Sequence, residues 1–154
     1  MRKIILPLLA SLAIATPAMA NEARVEARGG VFWSDGYTQD TYGVAAGYDF
    51  DLGQAAFAGV EVSGDKIADT GTKVAYGFTG RLGAKMGAHG KLYATGGYTT
   101  DTCTACNNES WNAGAGYQHG FGDKFYGKVE YRHFFLDAAR PDGNAVVAGL
   151  GVKF

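Results

Sequence analysis

Four groups of residues carry types that could do chemistry. Cys103-Thr104-Ala105-Cys106 is a C-x-x-C pair in a polar stretch. In an exported chain two thiols at that spacing suit a local disulfide, whose short ring is strained and easily reduced. The same pair is half of a metal site or a redox dithiol, but a second pair of ligands and the helix of a thioredoxin-like motif are missing. His119 and His133 lie beside Tyr117, Tyr131 and Phe135 on an apolar row. A histidine there, with a serine and an acid, would serve acyl-chain hydrolysis. The residues following His133 are Phe134, Phe135 and Leu136, so both histidines read as polar tips at a water interface. His89 falls in a turn. Asp35, Asp40, Asp65, Asp69, Asp101, Glu109, Asp137 and Asp142 crowd the loop segments against only Lys66 and Arg140. That excess reads as solvated surface, able to hold divalent cations or a basic ligand, although no spacing matches a calcium loop.

The fourth group is the largest. Arg24, Glu26, Arg28, Asp49, Glu61, Lys73, Arg81, Lys128, Glu130, Arg132 and Lys153 are mixed in sign and fall on one face of alternating segments. Charges enclosed by a wall need partners or water. The expectation is a salt-bridged interior network, with Glu26, Glu61 and Glu130 opposite Arg81, Arg132 and their neighbours. The alternative is a narrow ion path lined by the same side chains.

The elements that must hold these charges are strands. The last stretch shows it: Val146, Ala148, Leu150, Val152 and Phe154 alternate with Ala145, Val147, Gly149, Gly151 and Lys153, a period of two. The same pattern recurs over 24–33, 41–50, 56–63, 72–82, 91–99, 111–119 and 125–135, with polar loops or glycine-rich turns between. The connection over 83–90 is shorter if the strands extend into it. Eight strands of about ten residues make an even number, as closed outer-membrane barrels require. Short and longer connections roughly alternate, as periplasmic turns and surface loops do.

Residues 1–20 are set aside as a secretory signal peptide. Met1-Arg2-Lys3 is a basic start, Ile4 to Ala15 an apolar run too short to span a bilayer, and Ala18-Met19-Ala20 a small-residue cleavage site. The barrel domain then occupies 21–154, one domain's length. Of 14 basic residues Arg2 and Lys3 leave with the leader, so 12 face 15 acidic ones. A net charge of roughly −3 argues against nucleic acid as a partner. Glycine, at 24 residues of 154, is about twice its ordinary share and lacks the spacing of collagen.

Alternation alone fits a soluble barrel as well as a membrane one, and volume separates them. If Trp33, Tyr42, Tyr76, Phe78, Trp111, Tyr131 and the other rings of that row pointed inward, they would overfill an eight-stranded lumen. The opposite face, mostly Gly, Ala and Thr, carries too little charge for a soluble surface. The rings also gather near strand ends, as at headgroup level. The fold expected is all-β: an eight-stranded antiparallel up-and-down transmembrane β-barrel with the aromatic row toward lipid.

Leu92 to Tyr98 (LYATGGY), Gly114 to Tyr117 (GAGY), Lys128 to Arg132 (KVEYR) and the terminal Val152-Lys153-Phe154 resemble the opacity-protein and OmpA-like barrel surface antigens over nearly all of 21–154. That resemblance implies a bacterial outer-membrane location, insertion by the barrel-assembly machinery through a C-terminal signal ending on Phe154, and roles from adhesion to envelope structure. The chain departs from larger members in its short loops and in lacking a peptidoglycan-binding domain. The leading expectation is a non-enzymatic surface barrel without cofactor, contributing to envelope structure and adhesion or other surface interaction. Its partners are outer-membrane lipid, lipopolysaccharide and a host or surface ligand at the loops. A small-solute porin is the second reading and a lipid-modifying enzyme the third.

Overall fold

The computed structural model describes residues 21–100, 102, 109–136 and 141–154. The leader expected over 1–20 and the pair Cys103 and Cys106 lie outside the described residues. Eight strands follow one another: β1 (Glu22–Ser34), β2 (Tyr37–Asp51), β3 (Ala56–Ile67), β4 (Ala75–Met86), β5 (Gly90–Thr99), β6 (Ser110–Phe121), β7 (Phe125–Phe135) and β8 (Gly143–Lys153). Each pairs antiparallel with its neighbour, and β8 pairs with β1 to close the barrel. The seam runs from Arg24 opposite Lys153 to Trp33 opposite Asn144. It extends one residue further, since the Ala23 and Phe154 amides each donate to the other residue's carbonyl at 3.1 and 2.9 Å. Closure leaves no unpaired sheet edge, the condition for strands in hydrocarbon.

Burial is inverted relative to a soluble domain. Among the described residues the buried set holds fifteen polar or charged residues and six apolar ones. The large apolar side chains stand outside, with Trp111 at 68% and Leu150 at 71% exposed. Only hydrocarbon makes such an exterior stable, so the aromatic row faces lipid as the volume argument required.

The strand set matches the sequence reading. At the end holding the termini β4 runs on to Met86, so the connection expected over 83–90 shrinks to 87–89, and other boundaries shift at the opposite end. The loop expected over 34–40 is a two-residue hairpin: Ser34 pairs with Tyr37, and Asp35 and Gly36 take φ of 32° and 80°. Asp-Gly is the natural filling for a turn needing two positive φ values, because its twist matches the flanking strands. β3 runs on to Ile67, and Gly43 of β2 faces Asp65 across the pair. β4 starts at Ala75 instead of 72. The connections at the end holding the termini span 52–55, 87–89 and 122–124, and those at the other end 35–36, 68–74, 100–109 and 136–142.

Candidate functional site

The lumen is crossed by charged side chains from β1, β2, β3, β4 and β7, and the register explains how they meet. Arg28 on β1 and Lys128 on β7 both lie opposite Gly149 of the intervening β8, while Glu26 and Tyr126 lie opposite Gly151. With glycine between them, long side chains of β1 and β7 reach each other over β8. The Tyr126 hydroxyl donates to Glu26 Oε2 at 2.8 Å, and Lys128 Nζ sits 2.6 Å from Glu26 Oε1.

Glu61 on β3 is the hub. It accepts hydrogen bonds from Arg24 Nη1 at 2.7 Å, Arg28 Nη1 at 2.8 Å, Arg132 Nη2 at 3.0 Å and Lys128 Nζ at 3.2 Å. Its side chain is 2% exposed. Arg132 also pairs with Glu130, whose carboxylate takes the Tyr93 hydroxyl at 2.9 Å. Charge-assisted bonds of this kind satisfy groups that burial would otherwise penalise heavily.

Nearer the termini the plug becomes aromatic. Arg81 donates from Nε to Asp49 Oδ1 at 2.8 Å, and from Nη2 to Asp49 Oδ2 and to Gln118 Oε1, the latter at 3.0 Å. Its guanidinium stands 5.1 Å from the Phe57 ring centre and 4.7 Å from that of Tyr93, a cation–π arrangement. Lys91 bridges Asp49 and Glu22 at 3.0 and 2.8 Å, and Lys153 pairs with Glu22 at 3.2 Å. Phe57, Tyr93 and Tyr126 are buried to within 2% and fill what the ions leave.

The structure therefore brings together Arg24, Glu26, Arg28, Glu61, Arg81, Lys128, Glu130 and Arg132, with two corrections. Lys73 stands outside the network: β4 begins after it, so Lys73 is exposed in the preceding connection, where its amide donates to the Thr102 carbonyl at 2.8 Å. Arg81 pairs with Asp49 rather than with the glutamates. Asp65, assigned to a loop by sequence, faces inward and takes Arg28 through both carboxylate oxygens, with Ser63 Oγ at 2.9 Å. The signal was parity, because Phe57, Gly59, Glu61 and Ser63 already mark the inward face and β3 simply continues.

Above Arg28, Asp65 and Arg132 the lumen widens into a cup of about 420 Å³ that opens at the end away from the termini. On the outer wall beside that rim, His133 Nδ1 lies 2.9 Å from Asn144 Oδ1 and Nε2 lies 3.3 Å from Asp142. The Tyr131 hydroxyl donates to the same Asn144 oxygen at 2.6 Å. Ser34, whose hydroxyl reaches this connection, donates to the carbonyls of Pro141 and Asp142 at 3.1 and 2.9 Å. His119 Nδ1 meets Tyr117 Oη at 3.2 Å on the lipid side near the termini. Among the described residues no group of three or more His, Cys, Asp or Glu could hold a metal ion.

Solved structures share this architecture. The N-terminal β-barrel domain of Pseudomonas aeruginosa OprF is 17% identical, over 86% of this chain and 97% of that one, at a TM-score of 0.58. Neisserial surface protein A is 12% identical, over 87% and 97%, at 0.57. Ail, the attachment invasion locus protein of Yersinia pestis, in complex with the heparin analogue sucrose octasulfate, is 16% identical, over 87% and 97%, at 0.59. At these identities the likeness is one of fold. No individual curated protein matches the chain. The family model described as outer membrane protein beta-barrel domain matches residues 5–154, and the chain belongs to that family of bacterial outer-membrane barrels.

Proposed function

We propose that this chain is a non-enzymatic surface barrel whose lumen is closed, so that it acts through its fold in the membrane and through its loop end. The observation that carries this reading is the hub at Glu61, where four cations from β1 and β7 converge on one carboxylate of β3 and shut the lumen at mid-height. On this reading residues 1–20 direct export, the barrel-assembly machinery reads the C-terminal strand ending on Phe154, and both termini stay on the periplasmic side. The longer connections then face outward, as in other barrels of this kind, toward lipopolysaccharide and external ligands. Purified barrel in planar bilayers is expected to give no discrete conductance steps. Reproducible unitary steps sink the closed-lumen reading and restore the small-solute porin.

Adhesion is supported by the strand order, which puts the three longest connections, 68–74, 100–109 and 136–142, between strand ends on the same side of the barrel, and by likeness to Ail, the attachment invasion locus protein of Yersinia pestis. Replacing the 100–109 connection with a short turn is expected to lower cell binding while the heat-modifiable gel shift of the folded barrel persists. Unchanged binding removes that connection from the adhesive surface. Among the described residues His133 meets Asn144 and Asp142 and no serine, which does not favour a lipid-modifying activity, and an altered lipid A mass profile in a deletion strain is the outcome that would revive it.

A further inference from the structure

We propose that the cup at the loop end is a binding site for a free single-chain amphiphile with an anionic head, a medium-chain fatty carboxylate being the simplest case. Lumens of membrane barrels are ordinarily polar where they meet water. Here Phe32, Ile67, Ala75, Phe134, Ala145 and Val147 face inward above the plug and give the cup a mainly apolar wall, with Thr41, Thr99 and Ser110 between them. Phe32 and Phe134 stand edge to face at 5.9 Å and form one side of it. The volume of about 420 Å³ falls in the usual range of small-molecule pockets, roughly 300 to 1,000 Å³, and such pockets combine apolar walls with a few placed polar groups.

The charged groups at the floor are Arg28, Arg132 and Asp65, and their hydrogen-bonding capacity selects the head. The two floor guanidinium groups offer five N–H donors each. Five of those ten make the hydrogen bonds to Asp65, Glu61 and Glu130. Asp65, Glu61 and Glu130 balance the charge of these cations, but donors still outnumber acceptors at the floor, and that surplus favours an acceptor-rich carboxylate head held by charge-assisted bonds, with its chain lying against Phe32, Phe134 and Val147.

The path of entry fixes the source. The ion-pair plug closes the lumen toward the termini, and the strand ladder is unbroken around the barrel, so no gap admits a bilayer phospholipid sideways. The ligand comes through the open mouth, from the medium beyond the membrane. This site is independent of whether the loops bind cells.

The test uses the barrel in lipid nanodiscs with ¹³C-labelled methyl groups, titrated with decanoate, decanol and decyltrimethylammonium. Decanoate is expected to shift the Ala75, Ala145 and Val147 methyls saturably, while the lipid-facing Val129, Ala148 and Leu150 methyls drift without saturating. Decanol, lacking the charge, should bind at least tenfold more weakly, and the cationic amphiphile more weakly still. Ala145→Trp fills the cup and should abolish the saturable shifts while the gel shift of the folded barrel is kept. Ala75→Phe, on a different strand, supplies the same block if that variant fails to fold. Equal, non-saturating response on both faces of the wall means partition into the bilayer only and overturns the proposal, as does a cationic amphiphile binding as tightly as decanoate.

Discussion

Glu61→Gln is the sharpest perturbation of the interior. Glu61 carries four cationic contacts between 2.7 and 3.2 Å and is almost wholly enclosed. Neutralising it leaves Arg24, Arg28, Lys128 and Arg132 to the remaining carboxylates, with one positive charge uncompensated. Removing one member of a buried ion pair ordinarily costs about 3 to 5 kcal/mol. Glutamine's amide turns two N–H donors toward donors, but it keeps the volume and one acceptor oxygen, so the loss should fall within that range rather than beyond it. Glu130→Gln is the internal comparison: it has Arg132, the Tyr93 hydroxyl and Lys128 at 3.6 Å, and should lose less. Urea unfolding of vesicle-inserted protein reads both, through the emission of Trp33 and Trp111 on the lipid-facing row. The double variant Glu61→Gln with Lys128→Met restores the charge balance and should recover stability, a coupling of roughly 0.5 to 3 kcal/mol. If Glu61→Gln unfolds within about 0.5 kcal/mol of the parent, or if the two changes simply add, the convergence on Glu61 carries no energetic weight and the argument from it fails.

Three further outcomes follow from the wall. Val129→Arg puts a cation near the middle of β7 on the lipid face, where Val129 is 57% exposed; vesicle unfolding should show about 2 to 4 kcal/mol lost, and a neutral effect would mean this face meets water. Gly151→Ala places a Cβ 2.6 Å from Tyr126 Cζ and 2.5 Å from the Val25 carbonyl oxygen; a rigid ring and a backbone atom must both move, so overpacking should cost roughly 1 to 3 kcal/mol by the same assay. Gly36→Ala meets nothing within 4 Å yet sits at φ of 80°, so it should lose about 1 kcal/mol from backbone strain alone, read as a lower urea midpoint.

The strand count, the closure and the direction of both faces were legible because a period of two leaves a mark on every strand. Glu26, Glu61 and Glu130 could be placed in the lumen from parity without any contact information. Pairing partners were not legible in the same way. Arg81 was set opposite the glutamates, yet Asp49 takes it, because partnership depends on the stagger between β2 and β4 and not on either strand alone. Boundaries failed where polarity and strand structure part company. Asp40 and Lys66 read as loop residues, and both sit in strands that continue past the membrane band, where an outward charge meets water rather than lipid. Asp65 faces the lumen for the same reason, because β3 continues through a polar run that resembles a loop. The Asp35-Gly36 hairpin was within reach, since the dipeptide itself specifies a two-residue turn.

One rule of side-chain size accounts for both halves of the lumen. In the lower half, long side chains alternate around the wall with glycines that receive them: Arg24 against Gly47, Tyr93 against Gly83 and Gly116, Tyr126 against Gly151, Lys128 against Gly149. Each of these recesses is occupied by a side chain from a neighbouring strand, and together they close the lower lumen. Above Arg132 Phe32 still lies over Gly143, but the positions around it are short. Ala75, Ala145 and Val147 are too short to cross the lumen, and the inward rings at that level, Phe32 and Phe134, contact each other instead of spanning the gap. The closed floor and the open apolar cup thus arise from the same register, read at two heights, and a substitution that lengthens Ala75 or Ala145 should extend the plug upward at the expense of the cup.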